Sequence, residues 1–366
     1  MVLLRFSASK VALVTGLHDF GDAAEELLDC IYQDREELLA RDAARLQLRI
    51  VYKDEELELL VGKSGAAAAP QLRAAIRWTK DHAAPAHVEA AQRLLAGVDK
   101  RLVEAQKGRK LSRDEAREVR ELLAEKIHTS VGTRNEALAL EAYERQSGAK
   151  VRLTNEHFYF LTFPAPPGEE AAVDYTLLAE RCQRSVVLKK QSKRGAVDLT
   201  LKEEEEEEKE EAPGGYFSIC GMVDGVADAL TISADDEWGL TPVVVEVKNR
   251  VRGFRNPPPL YDHIQLAVYM KMLGVEHGDL VQCVYGADSR PAIQVSRVSM
   301  GVAPLCLPGS PADQARDIWT QVLVPRLYAF TAAVQKIRDN ELLRLALLNG
   351  TEEERLAMLR AECDFL

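Results

Sequence analysis

The run Val243-Val244-Val245-Glu246-Val247-Lys248 constrains this chain more than any other stretch. Four valines in six residues make it a buried strand, and such a strand should not carry charge. Strand side chains alternate, so Glu246 and Lys248 point to one face while Val245 and Val247 point to the other. Two opposite charges therefore share one spot. Twenty-two residues before Glu246, the stretch from Tyr216 to Gly225 reads as a second apolar strand, ending in Asp224-Gly225 where the chain must turn. If the two strands pair as a hairpin, Asp224 and Glu246 sit together at the same end. Two carboxylates and a lysine on adjacent core strands form a constellation for binding a divalent metal and polarising a phosphodiester.

The chain has 366 residues, 46% of them hydrophobic, enough for a sizeable core. No stretch approaches the ~18 uninterrupted apolar residues of a membrane helix. Met1 to Leu17 contains Ser7, Ser9 and Lys10 and lacks a small-residue cleavage pattern, so folded protein is expected there rather than a signal peptide. Cys30, Cys182, Cys220, Cys283, Cys306 and Cys363 are scattered without a C-x-x-C pair. That spacing argues for an intracellular, reducing compartment, be it nucleus, cytoplasm or a virus-infected cell, and against a zinc or iron–sulfur site. The net charge of −11 opposes nonspecific coating of nucleic acid, but residues 202–211, with eight glutamates and two lysines, supply −6 of it. A basic channel elsewhere is compatible with that total.

The expected architecture is α+β, a central mixed sheet flanked by helices, with a helical insertion and a helical C-terminus. Residues 1–60 form an N-terminal helical part of the core, 61–128 the insertion, 129–310 the core itself and 311–366 the closing helices. Arg5 to Val14 reads as a helix start capped by Ser7 or Ser9; with Arg5 and Lys10 beside it, it is either a phosphate site or a plain cap. Residues 21–48 read as one amphipathic helix. Gly62-Lys63-Ser64 lacks the earlier glycine of a phosphate loop. Ser112-Arg113-Asp114-Glu115 is a capping box opening a helix towards Ile127, and a loop is expected at 130–133. On the next helix Glu136 shares a stripe with Leu140 and Tyr143 and points inward, where a metal would compensate it; the alternative is a helix-start acid favoured by the dipole.

Further on, strands are expected at 150–154 and 157–161, followed by a hairpin of 184–190 and 196–201. Its tip, Lys189 to Gly195, suits a solvated end, a DNA-backbone contact or a nuclear-import patch. The glutamate-rich 202–213 reads as a disordered, solvated loop. After Lys248 come Arg250, Arg252 and Arg255, three arginines in six residues that could hold phosphates bidentately. Pro257 to Pro259 lead into a helix from Tyr261 to Leu273, whose stripe Tyr261, Gln265, Tyr269 is either core packing or a wall of the site. Strands at 280–285 and 292–298 complete the core.

Taken in order, Glu136 on a helix, Asp224-Gly225 at a strand end, Glu246-Val247-Lys248 on the next strand and Gln265-x-x-x-Tyr269 on the following helix resemble the PD-(D/E)XK nuclease superfamily. Within it they most resemble the lambda-exonuclease and YqaJ-type viral recombinase branch. Ser7-Ala8-Ser9 resembles that branch's N-terminal element, and Gly132-Thr133-Arg134-Asn135-Glu136 its Gly-x-x-x-Glu helix start. The resemblance leaves out residues 60–125, the hairpin with its acidic run and most of the C-terminal helices. It implies a restriction-endonuclease-like sheet and a Mg²⁺-dependent DNA exonuclease, with Mn²⁺ as the substitute ion, acting 5′→3′ on duplex ends in recombination, repair or DNA degradation. Asp224, Glu246 and the Val247 carbonyl would ligate the ion, and Glu136 would join directly or through water. Lys248 would orient or deprotonate the attacking water, and Gln265 would position the water or the lysine. Ser9, with Arg5 and Lys10, would hold a terminal 5′ phosphate. Partners implied by the resemblance are DNA, a single-strand annealing protein and further copies in a ring. Two departures stand out: Val2 where the family carries an arginine, and Asn249-Arg250 where it carries Cys-Pro. The alternatives are a RecB-like single-strand nuclease, a nuclease-fold module that only binds DNA or a partner, and a metal-free structural protein with a buried Glu246–Lys248 pair.

Overall fold

A computed structural model describes residues 3–21, 23–81, 85–167, 173–191, 197–201, 215–232, 238–251, 253–286, 290–299 and 317–366. Leu4 and Phe6, fully buried, alternate with exposed Arg5 and Ser7, so the first residues of the segment expected to open a helix end a strand, β1 (Leu4–Ser7), while Ser7 stands at the cap of the turn that follows, without a side-chain capping bond. A 3-10 turn (Ala8–Lys10) and the short helix α1 (Val11–Val14) follow it. The helix expected over 21–48 is two, α2 (Ala23–Tyr32) and α3 (Glu36–Arg45), broken where Asp34 takes a left-handed φ of 56°. Next come α4 (Lys53–Lys63), α5 (Ala69–Lys80), α6 (Val88–Lys107) and α7 (Arg113–Ser147). Ser112 and Glu115 form the capping box at the start of α7, and Gly148, with φ of 73°, ends it.

Helix α7 runs unbroken through 130–133, where a loop was expected, and across the expected boundary at 128/129. Gly132 is tolerated inside it because Ile127 and Val131 pack below it and Ala139, Leu140 and Tyr143 pack above, and this burial outweighs the ~1 kcal/mol helical penalty of a glycine. The N-terminal half of α7 joins α4, α5 and α6 around a separate core of Leu57, Val61, Leu72, Val98, Leu102, Val119 and Leu123. The helical insertion thus begins near Lys53, and Gly62-Lys63-Ser64 lies at the end of α4 rather than in a phosphate loop.

Beyond α7 the chain forms β2 (Val151–Arg152), β3 (His157–Phe163), α8 (Tyr175–Glu180), β4 (Gln183–Gln191), β5 (Val197–Leu201), β6 (Phe217–Gly221), β7 (Gly225–Ile232) and β8 (Trp238–Arg250). Helix α9 (Leu260–Leu273) carries the chain from β8 to β9 (His277–Tyr285), which lies parallel to β8, and β10 (Pro291–Ser299) returns antiparallel. Helices α10 (Val324–Asp339), α11 (Glu341–Asn349) and α12 (Glu352–Glu362) close the chain. The strands make two mixed sheets rather than one: β1-β6-β3-β4-β5 and β10-β9-β8-β7-β2. The expected hairpin of 184–190 with 196–201 is β4 with β5; the centre of its basic tip and the acidic run lie outside the described residues.

The stretch Tyr216–Gly225, expected to pair with the valine strand, is divided between the sheets. β6 pairs with β1 and β3, whereas β8 pairs with the following strand β7, in the register Gly225↔Val245 and Ala227↔Val243. Asp224 stands at the bend between them. Gly225 is required there, because a Cβ would meet Val151 Cγ1 at 2.2 Å. The β8 sheet is covered on both faces. Val245, Val247, Ala227, Val281 and Cys283 pack with Ala139, Leu140 and Tyr143 of α7. Val244, Val226 and Leu280 on the other face join Ile264, Leu266, Val268 and Met270 of α9 in the main core, which also takes in β1, β6, β3 and α10.

Candidate metal centre

Four elements deliver the site. β8 places Glu246 and Lys248 on the face that carries α9, as strand alternation requires. The bend before β7 brings Asp224 to the same end of the sheet, where its Oδ2 accepts the Val247 N–H at 2.7 Å. Helix α7 supplies Glu136 from mid-helix, well past the first turn where the dipole acts, so the helix-start explanation of that acid does not apply. Asp224, Glu136, Glu246, Val247 and Lys248 line one cavity of about 430 Å³ with His128, Thr129, Gly132, Asn249 and Arg250.

The lysine is tethered on three sides. Its Nζ donates to Glu246 Oε1 at 2.9 Å and to Gln265 Oε1 at 2.7 Å, and lies 3.9 Å from Asp262 Oδ1. Burial alone would lower its pKa, but Glu246 and Asp262 outweigh that and raise it. Gln265 Nε2 in turn reaches Tyr269 Oη at 3.4 Å, so of the Tyr261-Gln265-Tyr269 stripe Gln265 meets the lysine, Tyr269 is buried behind it, and Tyr261 stacks on His18 instead. Burial, then the charges of Glu246 and Glu136, push Asp224 well above the usual carboxylate range. Glu136 is also raised, by burial and by Glu246, against an opposing hydrogen bond from Asn155 Nδ2. Glu246 is raised by burial and by Asp262, against the pull of Lys248.

Such a set suits a hard divalent cation. Glu246 is 3% exposed and its Oε2 is buried without a hydrogen-bond partner, which leaves a carboxylate oxygen with nothing to compensate it. The surrounding donors are oxygens, as Mg²⁺ prefers. Among the described residues no three His, Cys, Asp or Glu side chains are arranged to hold a metal ion by themselves. Asp224 and Glu246 would therefore need the Val247 carbonyl and water to complete a shell, with Glu136, in the same cavity, joining directly or through water.

The expected phosphate contacts fare unevenly. Arg250 is not available: its guanidinium is bound to Asp262 and, through Nε at 3.2 Å, to Gln282 Oε1. A buried acid so close to the loop decides that pairing. Arg255 is exposed and donates to Tyr261 Oη at 2.6 Å. Arg252 lies outside the described residues. Ser7 and Ser9 are exposed with their hydroxyls 2.9 Å apart and do not line the cavity, although Ala8 between them and Tyr269 both crowd Gly221. Their expected basic partners are engaged elsewhere, Arg5 with Asp34 and Lys10 with Glu26 at 2.9 Å.

Sequence reasoning missed Asp262, Gln282 and Asn155. Gln282 is fully buried and receives the Arg255 N–H at 3.0 Å while donating to the Arg255 carbonyl at 2.8 Å, so it fixes the loop after β8. A glutamine inside the apolar run from Leu280 to Val284 was its signal. Asn155 holds a left-handed turn with φ of 50°, and nothing local in the sequence announces its reach to Glu136. Among the described residues no helix is long and apolar enough to cross a membrane. No protein-family model, curated protein or solved structure matches the chain.

Proposed function

We propose that this protein is a divalent-metal-dependent phosphodiesterase acting on DNA, an exonuclease of the PD-(D/E)XK kind with a restriction-endonuclease-like core. The observation that carries the reading is the meeting of Asp224, Glu246 and Lys248 in one cavity with Glu136, where Glu246 Oε2 is buried and unpartnered. A structural ion pair between Glu246 and Lys248 would account for neither Asp224 nor Glu136 beside it, since two further acids only add repulsion.

A bound Mg²⁺ or Mn²⁺ would polarise the phosphodiester and lower the pKa of water. Asp224, Glu246 and the Val247 carbonyl would hold it. Lys248, held by Glu246 at 2.9 Å and Gln265 at 2.7 Å, would orient or deprotonate the attacking water and stabilise the charge that develops on the phosphorus oxygens. Gln265 fixes the ammonium from the α9 side, and Tyr269 fixes Gln265. The 5′→3′ direction on duplex ends, the annealing partner and the ring assembly follow from the sequence resemblance.

The test is digestion of linear duplex labelled at either the 5′ or the 3′ end, with Mg²⁺ or with chelator, by wild type and Lys248→Ala. Mg²⁺-dependent loss of duplex that the substitution abolishes is expected, with the 5′ label released first. A wild type as inert as the variant on duplex, single-stranded DNA and RNA would sink the catalytic reading.

A further inference from the structure

One turn of α9 before Gln265, Tyr261 and residues of two other segments form an aromatic surface that the proposed chemistry does not use. The Tyr261 ring stacks on the His18 imidazole, with centroids 4.2 Å apart and planes 26° from parallel. Both rings are held from outside the stack. Arg255 donates to the Tyr261 hydroxyl at 2.6 Å, and the Phe20 N–H donates to His18 Nδ1 at 3.2 Å. That bond makes Nδ1 the acceptor and leaves the ring neutral with its proton on Nε2. The segments that supply these residues also carry Phe20, 79% exposed, and Phe254, 42% exposed. Large aromatics this open to water are a poor use of apolar area unless something covers them.

Its position relates the surface to the site. Tyr261 precedes Gln265 by four residues on one helix, so the two share a face about 5–6 Å apart at Cβ. Gln265 is the residue that holds Lys248, so the stack lies one helical turn from the lysine's anchor.

We infer that His18 and Tyr261 form a stacking platform for an unpaired nucleobase next to the scissile phosphate. The inference rests on the phosphodiesterase reading of the Asp224–Glu246–Lys248 cavity for its place in the reaction. The stacked rings offer a π-face, which an unpaired base covers and a phosphate does not. Exposed Arg255, which also donates to the Tyr261 hydroxyl, is placed to meet the adjoining backbone. The substrate is then an end with at least one nucleotide out of the helix. Frayed or overhanging termini would be engaged ahead of blunt, G·C-closed ones.

The experiment uses the full chain carrying Lys248→Ala, so that the nucleic acid stays intact, and single-stranded or overhang DNA with 2-aminopurine at the terminal nucleotides. Stacking on the platform quenches the probe. Adding His18→Ala or Tyr261→Leu should restore fluorescence and weaken binding about 5- to 150-fold, the range of one base–aromatic stack. Tyr261→Phe keeps the ring and should keep the quench. Quench that survives both His18→Ala and Tyr261→Leu, in proteins whose circular dichroism matches the parent, overturns the platform while leaving the nuclease reading intact. Absence of any DNA binding by the parent overturns it too. Platform-dependent quench in a protein whose Lys248 form never cleaves supports the base site and removes only the catalytic reading.

Discussion

Replacing Lys248 by methionine removes an ammonium 2.9 Å from Glu246 Oε1 and 3.9 Å from Asp262 Oδ1. At an effective dielectric of about 20, unit charges at those separations attract by roughly 6 and 4 kcal/mol. Desolvation of the ions takes back several kcal/mol of that, and removing one partner of a buried pair typically costs about 3–5 kcal/mol. The lysine side chain keeps 19% of its exposure, which places the expected loss near the low end, about 3 kcal/mol. Glu246→Gln loses only the larger of these attractions, since the Lys248–Asp262 pair remains, and it also removes a charge that raises the pKa of Asp224 and Glu136. Relief of that repulsion should hold its cost to about 1 kcal/mol, the size of one ordinary hydrogen bond. Urea unfolding in chelator, followed by far-UV circular dichroism and compared at a common slope, reads both values. Equal losses for the two variants would show that the acids do not strain one another, and the argument for a cation site from their crowding would fall with it.

Three further outcomes are expected. Without any nucleic acid, Mg²⁺ at about 100 times its dissociation constant should stabilise the wild type by roughly 2.7 kcal/mol, and Glu246→Gln or Asp224→Asn should erase the effect in a thermal-shift titration. Asp42, fully buried, is bound by Arg344 Nε at 2.7 Å and Tyr32 Oη at 3.1 Å, tying α11 to α2 and α3; Asp42→Asn should cost about 3 kcal/mol in urea unfolding. Burial raises that carboxyl, but the hydrogen bonds from Arg344 and Tyr32 and the charges of Arg344 and Arg41 together outweigh it and the folded pKa is lowered, so its contribution is present above the unfolded value of about 3.9 and is lost as pH falls below it. Wild type and Asp42→Asn should therefore converge in stability only in that acidic window. Gly132→Ala should gain up to about 1 kcal/mol, because the new Cβ meets nothing within 4 Å; a loss would mean that α7 needs the glycine for bending.

What the sequence determined by itself was a set of directions fixed by local period and chemistry. Alternation along Val243–Lys248 put Glu246 and Lys248 on one face, the capping residues at Ser112 and Glu115 started α7, and four-residue spacing set Tyr269 behind Gln265, which meets the lysine. These features are legible because a strand or a helix fixes side-chain direction without reference to the rest of the chain. Tertiary structure decided which strand lies beside β8, because pairing is non-local: Tyr216–Gly221 is as apolar as β7 but has β1 and β3 as alternative partners. It likewise decided that α7 continues through Gly132, where burial on either side exceeds a local penalty, and that Arg250 turns to Asp262 rather than outward. The partners of the charged groups were settled by approach in space. Asn155 reaches Glu136 and Asp262 reaches Lys248 only after two sheets and two helices have closed on one cavity.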